Sequence, residues 1–259
     1  GGEPALRADL EKLINQIDER SYSILFTTGH LINRERARAL QSAGLTIIVI
    51  SLDSHIKEEH NSKRNSEIAF DEAISAIKNS LEAGIYTAIS TVITKKLLYS
   101  PKLYDFFEYV GALGVHEIRL LEPKPCGKLL NYEFDYLGEE DKKKLRELQY
   151  RINAKGKLPT IMALSHINSV NNYGCNAGRT HVYINARGDM CPCDFTPLSF
   201  GNLVEESFSD VYAKMNKAFP KPSGVCIISS LSNHLKDIGP LPVTDRDKID
   251  SLLGKIDRG

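Results

Sequence analysis

Residues 44–54 read GLTIIVISLDS. A glycine tolerates the left-handed conformation that ends helices, and TIIVISL at 46–52 follows it, apolar on both alternating faces. A half-solvated strand would alternate apolar and polar residues. A strand apolar on both sides belongs in a parallel sheet covered by protein on each face. The polar SLDS comes next, where a parallel strand passes the chain to its following helix and reactive loops converge.

Outward from this stretch the same unit recurs. Leu6, Leu10, Leu13 and Ile17 predict a helix over 5–20, and YSILFT at 22–27 reads as a strand. A helix over about 33–43 stops at Gly44. Phe70, Ile74, Ile77 and Leu81 form a second stripe, ended by Gly84, before the strand YTAISTVI at 86–93. Leu103, Phe107 and Val110 form a third, broken by Gly111 and Gly114, before VHEIRLL at 115–121. A further helix over 139–153 places Glu139, Glu140 and Asp141 at its positive end and Leu145, Leu148 and Ile152 inward. Helices that separate buried parallel strands imply right-handed crossovers in an α/β fold, either an open doubly wound sheet or a barrel.

The rhythm changes after residue 155. KLPTIMALSHI at 157–167 reads as one extended edge segment, since Pro159 cannot donate to an interior ladder. THVYIN and DMCPC flank Ala186-Arg187-Gly188, the pattern of a tight hairpin. Phe208, Val211, Tyr212 and Met215 predict a helix over roughly 205–217. The expected organisation is a β/α region at 1–155, a connecting segment at 156–173 and a small cysteine-bearing hairpin-and-helix domain at 174–259.

Composition narrows the function. The 259 residues are 42% hydrophobic and 25% charged, the balance of a folded domain. A formal net charge of zero offers no broad footprint for nucleic acid or an acidic membrane. The apolar runs are too short to cross a bilayer and no secretory leader is visible, so a cytoplasmic location is the expectation. Five cysteines at 126, 175, 191, 193 and 226 make a poor disulfide framework. Four of them lie in the last third, which favours a metal over scattered core thiols.

The residues that could carry chemistry stand at consecutive strand ends: GGEP at 1–4, TTG at 27–29, SLDS at 51–54, Ser90, Thr91 and Thr94, then Glu122-Pro123-Lys124. Gly1 and Gly2 would bare the backbone to a ligand, and Glu3 could accept hydrogen bonds from an ammonium group. Each also has a plain structural reading as a turn or a cap. Lys63 and Arg64 either bind a carboxylate or are solvated. Cys175, Cys191, Cys193 and Cys226 could converge on a soft metal around the hairpin. Zinc is the rival, although C-x-C is tighter than the usual C-x2-C of structural zinc sites. Cys126 reads as a free loop thiol or as a group facing the cavity, and the seven histidines share no compact ligand spacing. No nucleophile–base pair or paired carboxylates support a hydrolase barrel with a zinc appendage.

The ordered set GGEP, TTG, SLDS and RLLEPKPCGK at 119–128 resembles the radical S-adenosylmethionine (SAM) enzymes over residues 1–130. That resemblance implies a partial (β/α)6 TIM-like barrel, here without its first strand. It implies SAM contacts from Gly1, Gly2, Glu3, Ser51, Asp53 and Ser90, with Thr91 a softer candidate. The family's catalytic [4Fe–4S] cluster is held by a C-x3-C-x2-C loop upstream of GGE, a spacing that does not occur in these residues, so that cluster is expected only in an intact protein carrying the loop. Residues 174–259 resemble the SPASM/twitch extensions through Cys175, Gly188, Cys193 and Gly201-Asn202-Leu203. The resemblance implies one auxiliary [4Fe–4S] cluster on Cys175, Cys193 and Cys226, with Cys191 as the fourth or an additional ligand. It further implies reductive SAM cleavage, hydrogen abstraction from a peptide or small molecule, and an external electron donor such as a flavodoxin or ferredoxin. The competing account is a non-catalytic binding or scaffold module with a structural zinc or iron–sulfur site.

Overall fold

The computed structural model describes residues 2–169, 172–236 and 238–256. Two compact units emerge: residues 2–122 with 137–164, and residues 123–136 with 165–259.

The first unit is a five-stranded parallel sheet in the order β1-β2-β3-β4-β5. Its strands are β1 (Ile24–Thr27), β2 (Ile47–Ser51), β3 (Tyr86–Val92), β4 (Glu117–Leu121) and β5 (Thr160–Ala163). Before them stands α1 (Leu10–Asn15), and the main helices between them are α2 (Arg34–Ser42), α3 (Lys57–Arg64), α4 (Ala69–Glu82), α5 (Lys95–Leu98), α6 (Lys102–Ala112) and α7 (Glu139–Lys155). Sequential order of parallel strands with helical crossovers is the winding of a partial (β/α)6-type barrel.

Period-two alternation sorts each strand between two faces. Leu25, Ile48, Ile50, Ile89, Ile118, Leu120 and Ile161 join one core with Leu40, Ile77, Phe107 and Leu145 of the helices. Registered on the opposite face are Phe26, Val49, Ala88 and Glu117 in one row, and Ser51, Ser90, Arg119 and Met162 in the next. On that face Val49 and Ala88 are fully buried, whereas Phe26 is 51% exposed.

Two expectations change, and one element appears that was not predicted. The helix over 5–20 is broken into a 3-10 turn at Pro4–Leu6 and the short α1. Arg7 caps the turn in an extended conformation and pairs with Asp9, so the buried residues become Ala5, Leu10 and Ile14, while Leu6, Leu13 and Ile17 stay exposed. The extended segment over 157–167 is only the strand β5, followed by the helical turn α8 (Leu164–Ile167). Asn153 stitches β5 in place, accepting from the Ile161 N–H at 2.8 Å and donating to its carbonyl at 2.9 Å. The SLDS loop runs into α3, an element that the charged sequence KEEHNSKR did not suggest.

In the second unit, β6 (Tyr183–Ile184) and β7 (Met190–Cys191) form the hairpin, and α9 (Phe208–Ala218), α10 (Ile227–Leu235) and α11 (Arg246–Leu253) pack around it. Asn185 accepts from the N–H groups of Arg187 and Asp189, and Gly188 turns the chain at φ +88. A side chain at Gly188 would also meet the Asn202 amide oxygen at 2.8 Å, which ties the turn glycine to the Gly201-Asn202 segment. Among the described residues no helix is long and apolar enough to cross a membrane.

Candidate functional site

At the C-terminal edge of the sheet, the loop after β1 is tied to the start of the chain. Glu3 Oε1 accepts from Thr27 Oγ1 at 2.5 Å and from the Ala5 N–H at 3.1 Å. Its Oε2 accepts from the Thr28 N–H at 2.8 Å and from Thr28 Oγ1 at 2.7 Å. A carboxylate offers about four lone-pair sites, and these four bonds take them. Burial pushes the Glu3 carboxyl up, but the Thr27, Thr28 and Ala5 donors outweigh it and hold the group below its ordinary range. The side chain sequence reasoning offered to an ammonium is therefore already engaged in joining GGE to TTG. Bare backbone is what the motif leaves open: Gly2 sits at φ +135 with open space where a Cβ would point. Gly1 lies outside the described residues. Gly29 of TTG has a packing task, since a Cβ there would meet Ala73 Cα and Ala76 Cβ of α4 at 3.0 Å.

The end of β2 is a clasp. Asp53 is buried, its Oδ2 pairs with Arg64 at 2.7 Å, and its Oδ1 accepts from the Val92 N–H at 3.3 Å. Its own N–H donates to His60 Nδ1 at 3.1 Å, and Lys63 donates to its carbonyl at 3.0 Å. Burial holds His60 below its usual value, against the pull of Asp53, so the imidazole is kept neutral to accept that bond. Neither Lys63 nor Arg64 is merely solvated. Arg64 retains a buried Nε without a partner, and it lines a cavity of about 300 Å³ together with Glu3, Thr28, His30, Ser51 and His60. An unmet guanidinium N–H on a residue that lines a cavity favours an anionic group in a ligand.

Ser51 and Ser90 come together, with their hydroxyls 3.5 Å apart, in the row that continues to Arg119. Arg119 is held by Glu117 and its guanidinium lies 5.5 Å from the Phe26 ring centre. Sequence reasoning passed over this Glu117–Arg119–Phe26 group, although the alternation within EIRLL was the available signal.

All five cysteines are free thiols, and all belong to the second unit. An antiparallel bridge joins Cys175 to Ser223 through backbone bonds of 2.9 and 3.0 Å, which brings Cys226, three residues on, against Cys175. Cys175 donates to Cys226, which draws Cys226 down to about 6 against burial, with help from Lys124 and Ser229. The same bond and burial push Cys175 up. The N–H groups of Ile227 and Ala177 point at the Cys175 sulfur, that of Phe195 at Cys193, and that of Ser229 at Cys226. Backbone donors aimed at sulfur are what a metal-bound thiolate needs, so these residues fit an iron–sulfur centre. Among the described residues no three His, Cys, Asp or Glu side chains gather tightly enough for a single ion. A cubane spreads its thiolates over separate irons and demands a looser group than tetrahedral zinc does.

Comparison with known proteins agrees with both units. Residues 1–98 match the Radical SAM superfamily and residues 175–224 match an iron-sulfur cluster-binding domain, SPASM. A probable GTP 3',8-cyclase of Saccharolobus islandicus is 29% identical over 205 residues, covering 74% of this chain and 65% of that protein. The AdoMet-dependent heme synthase of Methanosarcina barkeri is 24% identical over 232 residues, covering 82% and 66%. The chain thus spans just under two thirds of the length of these curated relatives. Among solved structures, Streptococcus suis SuiB bound to S-adenosylmethionine superposes with a TM-score of 0.61 at 18% identity, over 82% of this chain and 53% of that one. Native anSMEcpe with bound AdoMet and Cp18Cys peptide gives 0.62 at 19% identity, over 84% and 67%. At that identity the likeness speaks for the fold.

Proposed function

We propose a function from one premise: the chain belongs to the radical SAM superfamily and carries a SPASM-like iron–sulfur domain. It forms most of an enzyme that abstracts hydrogen from its substrate by way of SAM. Bound SAM and a reduced catalytic [4Fe–4S] cluster supply the chemistry, reductive cleavage to a 5'-deoxyadenosyl radical.

The residues described here bind, orient and shield. The backbone at Gly2 receives the SAM ammonium group, while Glu3, next to it, is tied to TTG. Arg64, with its unmet Nε, receives the SAM carboxylate, and Asp53 and His60 hold Arg64 and its helix in place. Ser51 and Ser90 lie in the row nearest the adenosyl end, and Arg119 and Phe26 belong to the sheet face where substrate is exposed to the radical. Cys175, Cys193 and Cys226 hold an auxiliary [4Fe–4S] cluster, with Cys191 or Cys126 completing the set. An external one-electron donor, a flavodoxin or ferredoxin, supplies the electron. SuiB and anSMEcpe are known with a precursor peptide and a Cp18Cys peptide respectively, which favours a peptide substrate.

The observation that carries the proposal is the cavity joining Glu3, Thr28, Ser51 and Arg64 at one sheet edge. Equilibrium binding of SAM to the wild type and to Arg64→Met tests it: the wild type binds and the variant loses most of that affinity. Anaerobic iron, sulfide and zinc analysis tests the second unit. Equal SAM binding by both proteins would end the first assignment, and zinc without sulfide would end the second.

A further inference from the structure

Thr196 stands three residues after Cys193 in the stretch CDFTPL at 193–198, and it is fully buried. Its hydroxyl lies 3.1 Å from Cys193 Sγ, and in the free thiol the sulfur donates to it. A buried hydroxyl left unmatched costs about 1–3 kcal/mol, so the identity of its partner matters. Among the described residues Cys193 is the one partner this hydroxyl has.

The backbone leaves the hydroxyl little freedom to turn elsewhere. Thr196 and Cys193 form an antiparallel bridge, in which the Thr196 N–H donates to the Cys193 carbonyl at 3.2 Å. Pro197 keeps the residue before it out of helical backbone. The Thr196 carbonyl accepts from the Leu198 N–H at 2.9 Å, and Leu198 is fully buried in a parallel bridge with Val243. Val243 donates to the Pro197 carbonyl at 2.9 Å and accepts from the Ser199 N–H at 2.8 Å. A β-branched side chain on a backbone so fixed has few rotamers open to it. The loop therefore holds the hydroxyl on the sulfur.

Chemistry decides what the contact does. A metal-bound Cys193 sulfur has lost its proton and can only accept. The Thr196 hydroxyl is both donor and acceptor, so it keeps the same contact with the direction reversed. One-electron reduction adds negative charge to a thiolate-ligated cluster, and hydrogen bonds to the sulfurs help to set its potential. A hydrogen bond strengthens as its acceptor becomes more negative, so this one favours the reduced form.

We propose that Thr196 is a positioning residue that tunes the auxiliary cluster: its hydroxyl donates to the Cys193 thiolate and raises the potential at which the cluster accepts an electron. The proposal rests on the iron–sulfur reading of this unit and adds to it a residue outside the cysteine set.

The test is anaerobic reconstitution of the chain with iron and sulfide, followed by a dithionite titration monitored by electron paramagnetic resonance. Wild type, Thr196→Val and Thr196→Ser are compared, with iron and sulfide counted in each. Valine keeps the branched shape and drops the hydroxyl, whereas serine keeps the hydroxyl and drops the methyl. All three are expected to bind equal iron and sulfide. The midpoint of Thr196→Val is expected to shift to a more negative potential, and that of Thr196→Ser to stay near the wild type. An unchanged midpoint in Thr196→Val would overturn the proposal, as would equal shifts in both variants, which mark packing alone. Should Thr196→Val fail to hold a cluster, Thr196→Ala takes its place against Thr196→Ser, and its midpoint must be the lower of the two. Clusters lost from both hydroxyl-free variants but kept by Thr196→Ser would make the hydroxyl a requirement of assembly, and tuning would be overturned. A wild type that takes up zinc without sulfide would instead overturn the underlying reading, and the proposal with it.

Discussion

The sheet unit and the cysteine unit solve the same problem by different means. In the first, five strands saturate one another's backbone groups, and a continuous core of Ile, Leu, Val and Phe excludes water without help. In the second, among the described residues, the one two-stranded ladder joins strands of two residues each. Single bridges such as Cys175–Ser223 and Asp189–Asn202 do the rest, and thiols stand among the core side chains. Hydrocarbon burial scales with the size of the core, so a small unit with little regular structure depends on cross-links to hold its shape. The difference teaches that the first unit closes its own core, whereas the second, on the function proposed, is completed by an iron–sulfur centre.

The largest expected effect breaks or confirms this contrast. Stripping iron with a chelator should destabilise the cysteine unit by several kcal/mol, because metal binding free energy is folding free energy in such sites. Hydrogen exchange should then accelerate across 174–256 while the amides of β1–β5 stay protected. Equal loss in both regions would break the comparison.

The converse perturbation is Ile89→Ala, at a fully buried position of β3. It should cost about 2–5 kcal/mol in a urea titration of the sheet unit. The iron and sulfide bound by the cysteine unit should not change.

A smaller effect is expected where the sheet unit meets its ligand. Glu3→Gln removes the charge that Thr27 and Thr28 hold and leaves a poorer set of acceptors. SAM affinity should fall about tenfold, or roughly 1.4 kcal/mol, by equilibrium dialysis. The cysteine unit should again be indifferent.

The smallest effect is one of pH. His60 ordinarily titrates near 6.5 and is held lower in the folded chain by burial. The unfolded chain therefore binds the proton first, so this contribution is complete above 6.5 and is lost as pH falls through the folded value. Glu3 acts in the same direction further down, since its folded value also lies below the ordinary carboxylate range. The urea midpoint of the sheet unit should drop between pH 7.5 and 5.5, and less so in His60→Gln.

How much of this was legible in the sequence follows the range of the interactions. The strands and main helices were readable because a run such as TIIVISL, or the stripe Phe70, Ile74, Ile77, Leu81, states its own environment within a few residues. The same method failed at 5–20, where evenly spaced leucines could not show that Arg7 and Asp9 stop the first turn. It also failed at α3, whose charged sequence becomes a helix because Asp53 holds Arg64, Lys63 and His60 from one side. The motifs GGEP, TTG and SLDS were visible as a series, but the filled acceptor sites of Glu3 and the unmet Nε of Arg64 were not.

Sequence alone determined the α/β character of the first region, the hairpin around Gly188 and the kind of donor available for a metal. Each is a local property, set by side-chain period, turn chemistry or residue type. Only the tertiary structure decided that Glu3 braces TTG, that Asp53 is a clasp, and that Cys175 and Cys226 meet across the Cys175–Ser223 bridge. Those groupings depend on loop closures that bring distant positions together, and no spacing within a short window records them.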